Sequence, residues 1–354
     1  MSMQPVYIQR IASIHPQGKR NDSRPYLQAC EPDYKNIITN PTLRRRMSRI
    51  VKMGVACGLE CIGGLPPEEI QGIITATGLG CLVDTEKFLN TLIDNEERML
   101  NPTPFIQSTF NTIGAQIALI RGIHAYNMTY VHRGLSFESA LLDAMMKIGE
   151  GSGHILVGAM DEMTDTSHAI QQRLGILKGI EAGEGAQFFL LSREVGEHPL
   201  AEIKGIETFA GQQTTEEIQN RIMRFLQRNG LNSRNIQWFM TGKNKQQSWQ
   251  DNSSKQTIIS EKDVPLNQAI TSESNAIYEK LETNLFPESM HLSFKDECGE
   301  YPTASSYAVW KVVKESENCT TPTKARGRSA KVGHSNRERP YLPASHRTAV
   351  NASL

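Results

Sequence analysis

Nowhere in the 354 residues do about 20 apolar residues run together, and the amino terminus carries no apolar leader, so neither a membrane span nor a secretory segment is expected and the chain reads as cytoplasmic. Net charge is missing too. The 38 Lys and Arg balance the 38 Asp and Glu, which argues against a nucleic-acid surface as the main purpose. Cysteine is sparse and irregular: Cys30, Cys57, Cys61, Cys81, Cys298 and Cys319. There is no CxxC pair and no histidine spaced to complete a zinc site, so no metal is expected. Reduced, buried thiols fit this pattern and suit the cytosol. Gly78-Leu-Gly80 lacks the third glycine and downstream acid of a nucleotide loop, and no cofactor is expected.

What is present is a rhythm of strands and helices. Val6–Ile14 alternates like an opening strand. From Leu43 the apolar positions Met47, Ile50, Val51, Val55 and Leu59 have helical spacing, closed by Pro66-Pro67. A buried strand is expected over 70–77, a helix over 86–92, a helix over 107–121 and a short strand over 126–131. A helix over 135–148 and strands over 154–160 and 186–192 follow. The second half repeats the pattern more weakly: strand 200–209, helix 215–229, strand 236–241, an irregular polar stretch 242–262, helix 272–281, strand 290–294 and helix 304–314. Alternation of this kind favours a wound sheet with helices on its faces.

Residues 320–354 differ in kind. They carry seven Lys and Arg against one acid, Glu338, and almost no periodic apolar residues. Disorder is the expectation there, either as a dangling basic tail or as an out-of-frame end.

Four segments, in order, carry a family resemblance. Arg45-Arg-Met-Ser-Arg49 resembles an RRMDR helix start. Thr75-Ala-Thr-Gly-Leu-Gly80 with Thr85-Glu86 resembles a TGxGG turn and its helix. The stretch 101–165 holds Pro104-Phe105, Phe110-Asn111 and Leu156-Val-Gly-Ala-Met-Asp-Glu162, the last like an LAGGADE strand. Gly183-Glu-Gly-Ala186 resembles GEGA. Together they resemble the β-ketoacyl-acyl-carrier-protein synthases of the thiolase-like superfamily. The resemblance implies an α/β fold of five layers, αβαβα, built from two similar halves. On it, residues 1–192 are the synthase-like first half and 193–319 a second half truncated at its carboxyl end, since the family's GFGGxN loop and closing strands have no counterpart. The family's FDxxRDGF segment is missing before Gly183.

The chemistry of this family needs a cysteine thiolate at a helix N-terminus to take the acyl chain. It also needs two histidines, one ordered by a lysine, for decarboxylation and oxyanion stabilisation. On this sequence the TACxxG loop resembles Thr129-Tyr-Val-His-Arg-Gly134, which puts Val131 at the cysteine. The HGTGT loop resembles Phe239-Met-Thr-Gly-Lys243, with Phe239 at the first histidine. The KxxxGH motif resembles Lys295-Asp-Glu-Cys-Gly-Glu300: Lys295 matches the lysine and Glu300 replaces the second histidine. His132 is read as a local cap, and Cys298 is not read as a substitute nucleophile.

The resemblance therefore implies a member with no intact catalytic centre. The expected role is that of a chain-length-factor-type partner of an active ketosynthase in fatty-acid, polyketide, aryl-polyene or related pigment biosynthesis. Its partners would be that ketosynthase, in a dimer formed through the strand and helix near the nucleophile position, and an acyl carrier protein. Nucleic acid and membrane are not expected partners. Two other readings stay open: a divergent 3-oxoacyl synthase or acyltransferase using other residues, and a truncated relic.

Overall fold

A bulge decides what the first strand can do. In β1 (Val6–Ile14), Val6 and Ile8 are buried, and so are Ala12 and Ile14. Between Ile8 and Arg10 the register with its neighbour slips. One extra residue reverses the alternation. Val6 and Ile8 therefore join the core on one face of the sheet, and Ala12 and Ile14 the core on the other.

The computed structural model describes residues 5–17, 23–177, 179–196, 199–209, 211, 213–244, 266–318 and 349–352. After β1 come α1 (Pro41–Arg46), α2 (Arg49–Ile62), β2 (Ile70–Ala76), α3 (Leu82–Asp94), α4 (Pro102–Gln107) and α5 (Thr112–Arg121). Then follow β3 (Tyr126–Tyr130), α6 (Ser136–Gly149), β4 (His154–Asp161), α7 (Asp165–Arg173), β5 (Gly185–Ser192) and β6 (Ala201–Ile203). The remainder is α8 (Thr215–Arg228), β7 (Trp238–Thr241), α9 (Leu266–Asn284), β8 (Met290–Ser293), α10 (Lys295–Cys298), α11 (Ala304–Asn318) and β9 (Ala349–Ala352).

The strands make a six-stranded sheet in the order β3-β2-β4-β5-β1-β6 and a three-stranded sheet in the order β8-β7-β9. β2 runs parallel to β3 and β4, whereas β5 is antiparallel to both β4 and β1. Side chains alternate cleanly between the faces. Leu156, Ala186, Phe188 and Leu190 pack with α2 and α5. Ile155, Val157, Phe189 and Leu191 pack with Phe137, Ala140, Leu141 and Ala144 of α6 and with Val313 of α11. The second sheet closes the stack. Met240 and Phe294 meet Ala304, Tyr307 and Ala308 of α11 on one side. Phe239 meets Ile218 and Leu226 of α8 and Tyr278 and Leu281 of α9 on the other. The layers are α2/α5, first sheet, α6/α11, second sheet, α8/α9, the αβαβα order expected for a thiolase-like α/β chain.

Several boundaries differ from the sequence reading. The helix expected over 107–121 starts only at Thr112, as α5, because α4 has already ended at Gln107 and the chain turns before Asn111 and Thr112 begin a new helix. The strand expected over 200–209 shrinks to the three residues of β6. The chain division after residue 192 does not divide the core: β6 pairs with β1, and Val313 sits among the first sheet's residues. In the segment expected to be disordered, Ala349–Ala352 pairs in parallel with β7, since its extended backbone finds an edge to bond. Residues 319–348, and 245–265, which take in most of the irregular polar stretch, lie outside the described residues.

Candidate functional site

Ligands of wound sheets bind outside the carboxyl ends of the strands, and here the loops from four such ends converge. Asp161, the last residue of β4, is buried and gathers five hydrogen bonds. Its Oδ1 accepts from Thr77 Oγ1 at 2.9 Å, Gly78 N at 2.9 Å and Leu79 N at 3.3 Å. Its Oδ2 accepts from Thr303 N at 3.1 Å and Thr303 Oγ1 at 2.8 Å. Burial still raises the carboxyl above its usual range, against the pull of these donors. Gly78 lies so close to the approach to α11 that a Cβ there would stand 2.1 Å from Pro302 Cβ. The same Cβ would be 3.6 Å from the backbone oxygen of Arg133. The turn after β2, the turn before α6 and the segment before α11 thus form one cluster.

The turn between β3 and α6 is strained. Arg133 has φ +58°, a left-handed conformation for a bulky residue, a state that costs of order 1 kcal/mol or more and persists only where neighbours impose it. A sharp strand-to-helix turn is a place where enzymes hold a nucleophile before a helix N-terminus. Here Val131 to Leu135 supply neither thiol nor hydroxyl, and the chain has no cysteine between Cys81 and Cys298. Val131 follows β3 directly and is half-buried. His132 is exposed and engaged locally: its backbone N–H donates to Ser136 Oγ at 2.8 Å, and its Nδ1 lies 3.0 Å from Ser139 Oγ. Cys298 and Cys81 are buried, which pushes both thiols well up and leaves them inert.

Lys295 and Glu300 come together. Lys295 Nζ stands 2.5 Å from Glu300 Oε2, with the lysine side chain 9% exposed and the glutamate 29%. Asn244 Nδ2 reaches the same carboxylate oxygen at 3.4 Å. Backbone bonds fix the segment. Glu300 N donates to Glu181 O at 2.8 Å, and Gly183 N donates to Glu300 O at 3.0 Å. The approach is so close that a Cβ at Gly183 would fall 1.8 Å from Cys298 O. Beside this pair, Lys243 Nζ meets Glu282 Oε2 at 2.6 Å and Asn275 Nδ2 donates to Asn244 O at 3.0 Å.

Phe239 does not join them. It is fully buried, its ring 4.4 Å from that of Phe286, in the core beneath α8 and α9. β7 continues past it to Thr241, and the residue it delivers to Lys295 is Gly242, whose Cβ would lie 3.3 Å from Lys295 Cε. The assignment of Phe239 to the site fails by register. The residue is inside the strand, not at its carboxyl end.

Sequence reasoning missed the pairing of two motifs it had noticed singly. Arg49, from the helix-start motif, donates from Nη1 to Glu184 Oε2 at 2.7 Å and from Nη2 to Oε1 at 2.5 Å. Glu184 also accepts from Ala29 N at 2.9 Å and Met163 N at 3.1 Å. This bidentate pair rivets a fully buried carboxylate to a half-buried guanidinium. Its neighbour Glu162 is less well served. Its Oε1 accepts from Val83 N at 3.0 Å while Oε2 has no partner. Burial raises its carboxyl to about 8. Among the described residues no three His, Cys, Asp or Glu gather to hold a metal ion, and no helix is long and apolar enough to cross a membrane.

A family model described as β-ketoacyl synthase, N-terminal domain, matches residues 19–253. No curated protein matches the sequence. Among solved structures, the ishigamide ketosynthase/chain length factor is similar with a TM-score of 0.69 and 16% identity, covering 89% of this chain and 92% of that one. A β-ketoacyl synthase from Burkholderia phymatum gives 0.64 and 14%, covering 89% and 87%. A type II polyketide ketosynthase, bound to a hexaketide and in complex with its acyl-carrier protein, gives 0.63 and 15%, covering 89% and 93%.

Proposed function

The chain belongs to the β-ketoacyl synthase family, and from that premise we propose that it is a non-catalytic, chain-length-factor-type partner of an active ketosynthase in polyketide or related acyl-chain biosynthesis. One observation carries the reading. The strained turn before α6 presents no nucleophile, because no cysteine exists between Cys81 and Cys298. A thioester cannot form there, and without it the condensation has no acyl donor. The loss is compounded at Lys295, whose cation is taken by the Glu300 carboxylate. A negative charge at that place opposes both a malonyl carboxylate and a developing enolate.

The first sheet offers the surface such a partner needs. β3 is an edge strand, bonded to β2 on one side. Around it Leu119, Met128, Leu142 and Met146 are exposed, Leu119 at 75%. An open edge flanked by apolar side chains on both faces is a template for another chain. The ishigamide neighbour is itself a ketosynthase/chain length factor assembly, which supports pairing of this type. The exposed Arg45 and Arg46 on α1 suit an acidic carrier protein. A cytoplasmic setting fits the free thiols Cys30, Cys57, Cys61, Cys81 and Cys298.

The test is covalent loading. Pure protein incubated with an acyl-carrier thioester and read by intact-mass spectrometry should show no adduct, and a co-expressed partner ketosynthase should co-purify in equal amount. An acyl adduct on any residue would defeat the non-catalytic reading.

A further inference from the structure

We propose that His15 is an acid-sensitive latch on α11: its neutral ring fastens the helix to the end of β1, and a proton on Nδ1 opens the fastening. His15 follows β1 directly, and its ring lies against those of Tyr307 and Trp310, with centroids 4.9 and 4.6 Å away. These two residues and Lys311 lie three and four positions apart on one face of α11. A chain of hydrogen bonds runs from the ring into the core. Ser13 Oγ lies 2.7 Å from His15 Nδ1 and accepts from Gln187 Nε2 at 3.1 Å. Gln187 Oε1 accepts from Ser306 Oγ at 2.7 Å and from Tyr301 OH at 3.3 Å. Ser306 Oγ also donates to Thr303 O at 2.7 Å, and Thr303 holds Asp161. The latch and the loop cluster at Asp161 are two ends of one network.

The polarity of that chain sets the state of the ring. Two hydroxyls donate to Gln187 Oε1, so its amide nitrogen is the end that faces Ser13. Ser13 Oγ accepts there, which leaves its own hydrogen for His15 Nδ1. The ring is then the neutral tautomer with its proton on Nε2. A proton on Nδ1 sets two donors against Ser13 Oγ and turns the hydroxyl hydrogen away from the ring. Burial disfavours that proton and lowers the His15 pKa to about 4, while Glu297 pulls upward and Lys311 adds to the lowering. Glu297 comes from α10, pairs with Lys311 of α11 and accepts from Tyr307 OH at 2.7 Å. Cys30 meets His15 through its backbone, donating from N to His15 O at 3.0 Å, so the segment stays anchored when the ring is changed. The fastened ring refuses a proton that a released ring accepts near 6.5. The latch is therefore complete above about pH 6.5, weakens as pH falls, and is gone below about pH 4.

The experiment follows the histidine ring resonances of the wild type and Ser13→Ala by NMR between about pH 3.5 and 7.5. Hydrogen exchange of α11, read by mass spectrometry, is compared at each pH among the wild type, Ser13→Ala and His15→Gln. Comparison at one pH isolates the ring from the buried carboxyls, which act in the opposite direction. In the wild type His15 is expected to titrate near 4. Relative to His15→Gln, the α11 amides of the wild type should lose roughly a hundredfold of their protection between about pH 6.5 and 4. Ser13→Ala removes the hydroxyl that favours the neutral ring, so His15 should titrate closer to its ordinary value and the loss of protection should become shallower. If His15→Gln does not fold, the wild type and Ser13→Ala carry the test between them. A wild-type His15 that titrates near 6.5, a titration that Ser13→Ala leaves unmoved, or α11 protection that falls equally in the wild type and His15→Gln overturns the proposal.

Discussion

Asp161 and Thr303 are 142 residues apart and share two hydrogen bonds, the Thr303 backbone N–H at 3.1 Å and its hydroxyl at 2.8 Å, both to Asp161 Oδ2. The bond couples the end of β4 to the entry of α11, the helix both sheets pack on. With Oδ1 holding Thr77, Gly78 and Leu79, one carboxylate fastens three segments. Replacing Asp161 by Ala strands five donors, four of them buried, and is expected to cost about 3–5 kcal/mol. Thr303→Val removes one donor and is expected to cost about 1–2 kcal/mol. Urea unfolding of the two variants checks the ranking. Equal midpoints would show that the carboxylate is not the fastener.

Glu162 makes stability fall as pH rises. Its folded carboxyl titrates at about 8 against 4.5 for the ordinary group, with burial the main cause. The folded state therefore holds the proton that the unfolded chain gives up. This contribution is complete below about pH 4.5, declines through the range between, and is gone once pH passes about 8. Asp84, Glu138 and Asp161 are raised in the same direction, also by burial. Glu162→Gln keeps the bond from Val83 N and removes the charge, so its melting temperature should be less pH-dependent than the wild type's between pH 5 and 8. An unchanged slope would mean that Glu162 is ionised in the fold.

Much of the scaffold was legible because its signals are local. The apolar spacing of α2 and α6 and the buried runs of β2, β4 and β5 identify themselves. α7 was invisible, since His168 is its one buried residue and its face is otherwise polar. The site was legible only in fragments. Arg49 and Glu184 lie 135 positions apart, and no periodicity links them. Phe239 was misplaced because β7 is short and fully buried, so nothing in its pattern marks where the strand ends. Lys295 and Glu300 sit five positions apart and needed no distant register, and there the reading placed both together.

Restoring a thiol should not restore condensation. Val131→Cys and Gly134→Cys both place a cysteine in the turn before α6. The residues beside Lys295 are Gly242 and Glu300, neither of which offers an imidazole, and Glu300 still occupies the lysine. Groups that act as a unit lose most of their rate when any member is missing. Some acyl adduct on the new thiol is compatible with this, and no carbon–carbon product is expected from malonyl and acyl carrier thioesters by mass spectrometry. Product above the wild-type background would show that the remaining site is competent.

The β3 edge offers the sharpest test of partnership, because its exposed residues contribute little to the isolated fold. Met128 lies at the middle of β3, and Leu142 on the adjacent exposed side of α6. Met128→Lys places a charge where a second strand would bond, a device that natural edges use to refuse pairing. Leu142→Glu does the same on the flanking helix. Each exposed substitution should change folding stability by no more than about 0.5 kcal/mol. At an interface centre, however, each should weaken association by about 2 kcal/mol, roughly thirtyfold. Co-expression with a candidate partner ketosynthase, followed by gel filtration and thermal melting, separates the two effects. The expected outcome is an unchanged melt with loss of the complex. A complex that survives both substitutions would place the partner on another face of the molecule and remove the edge strand from the argument.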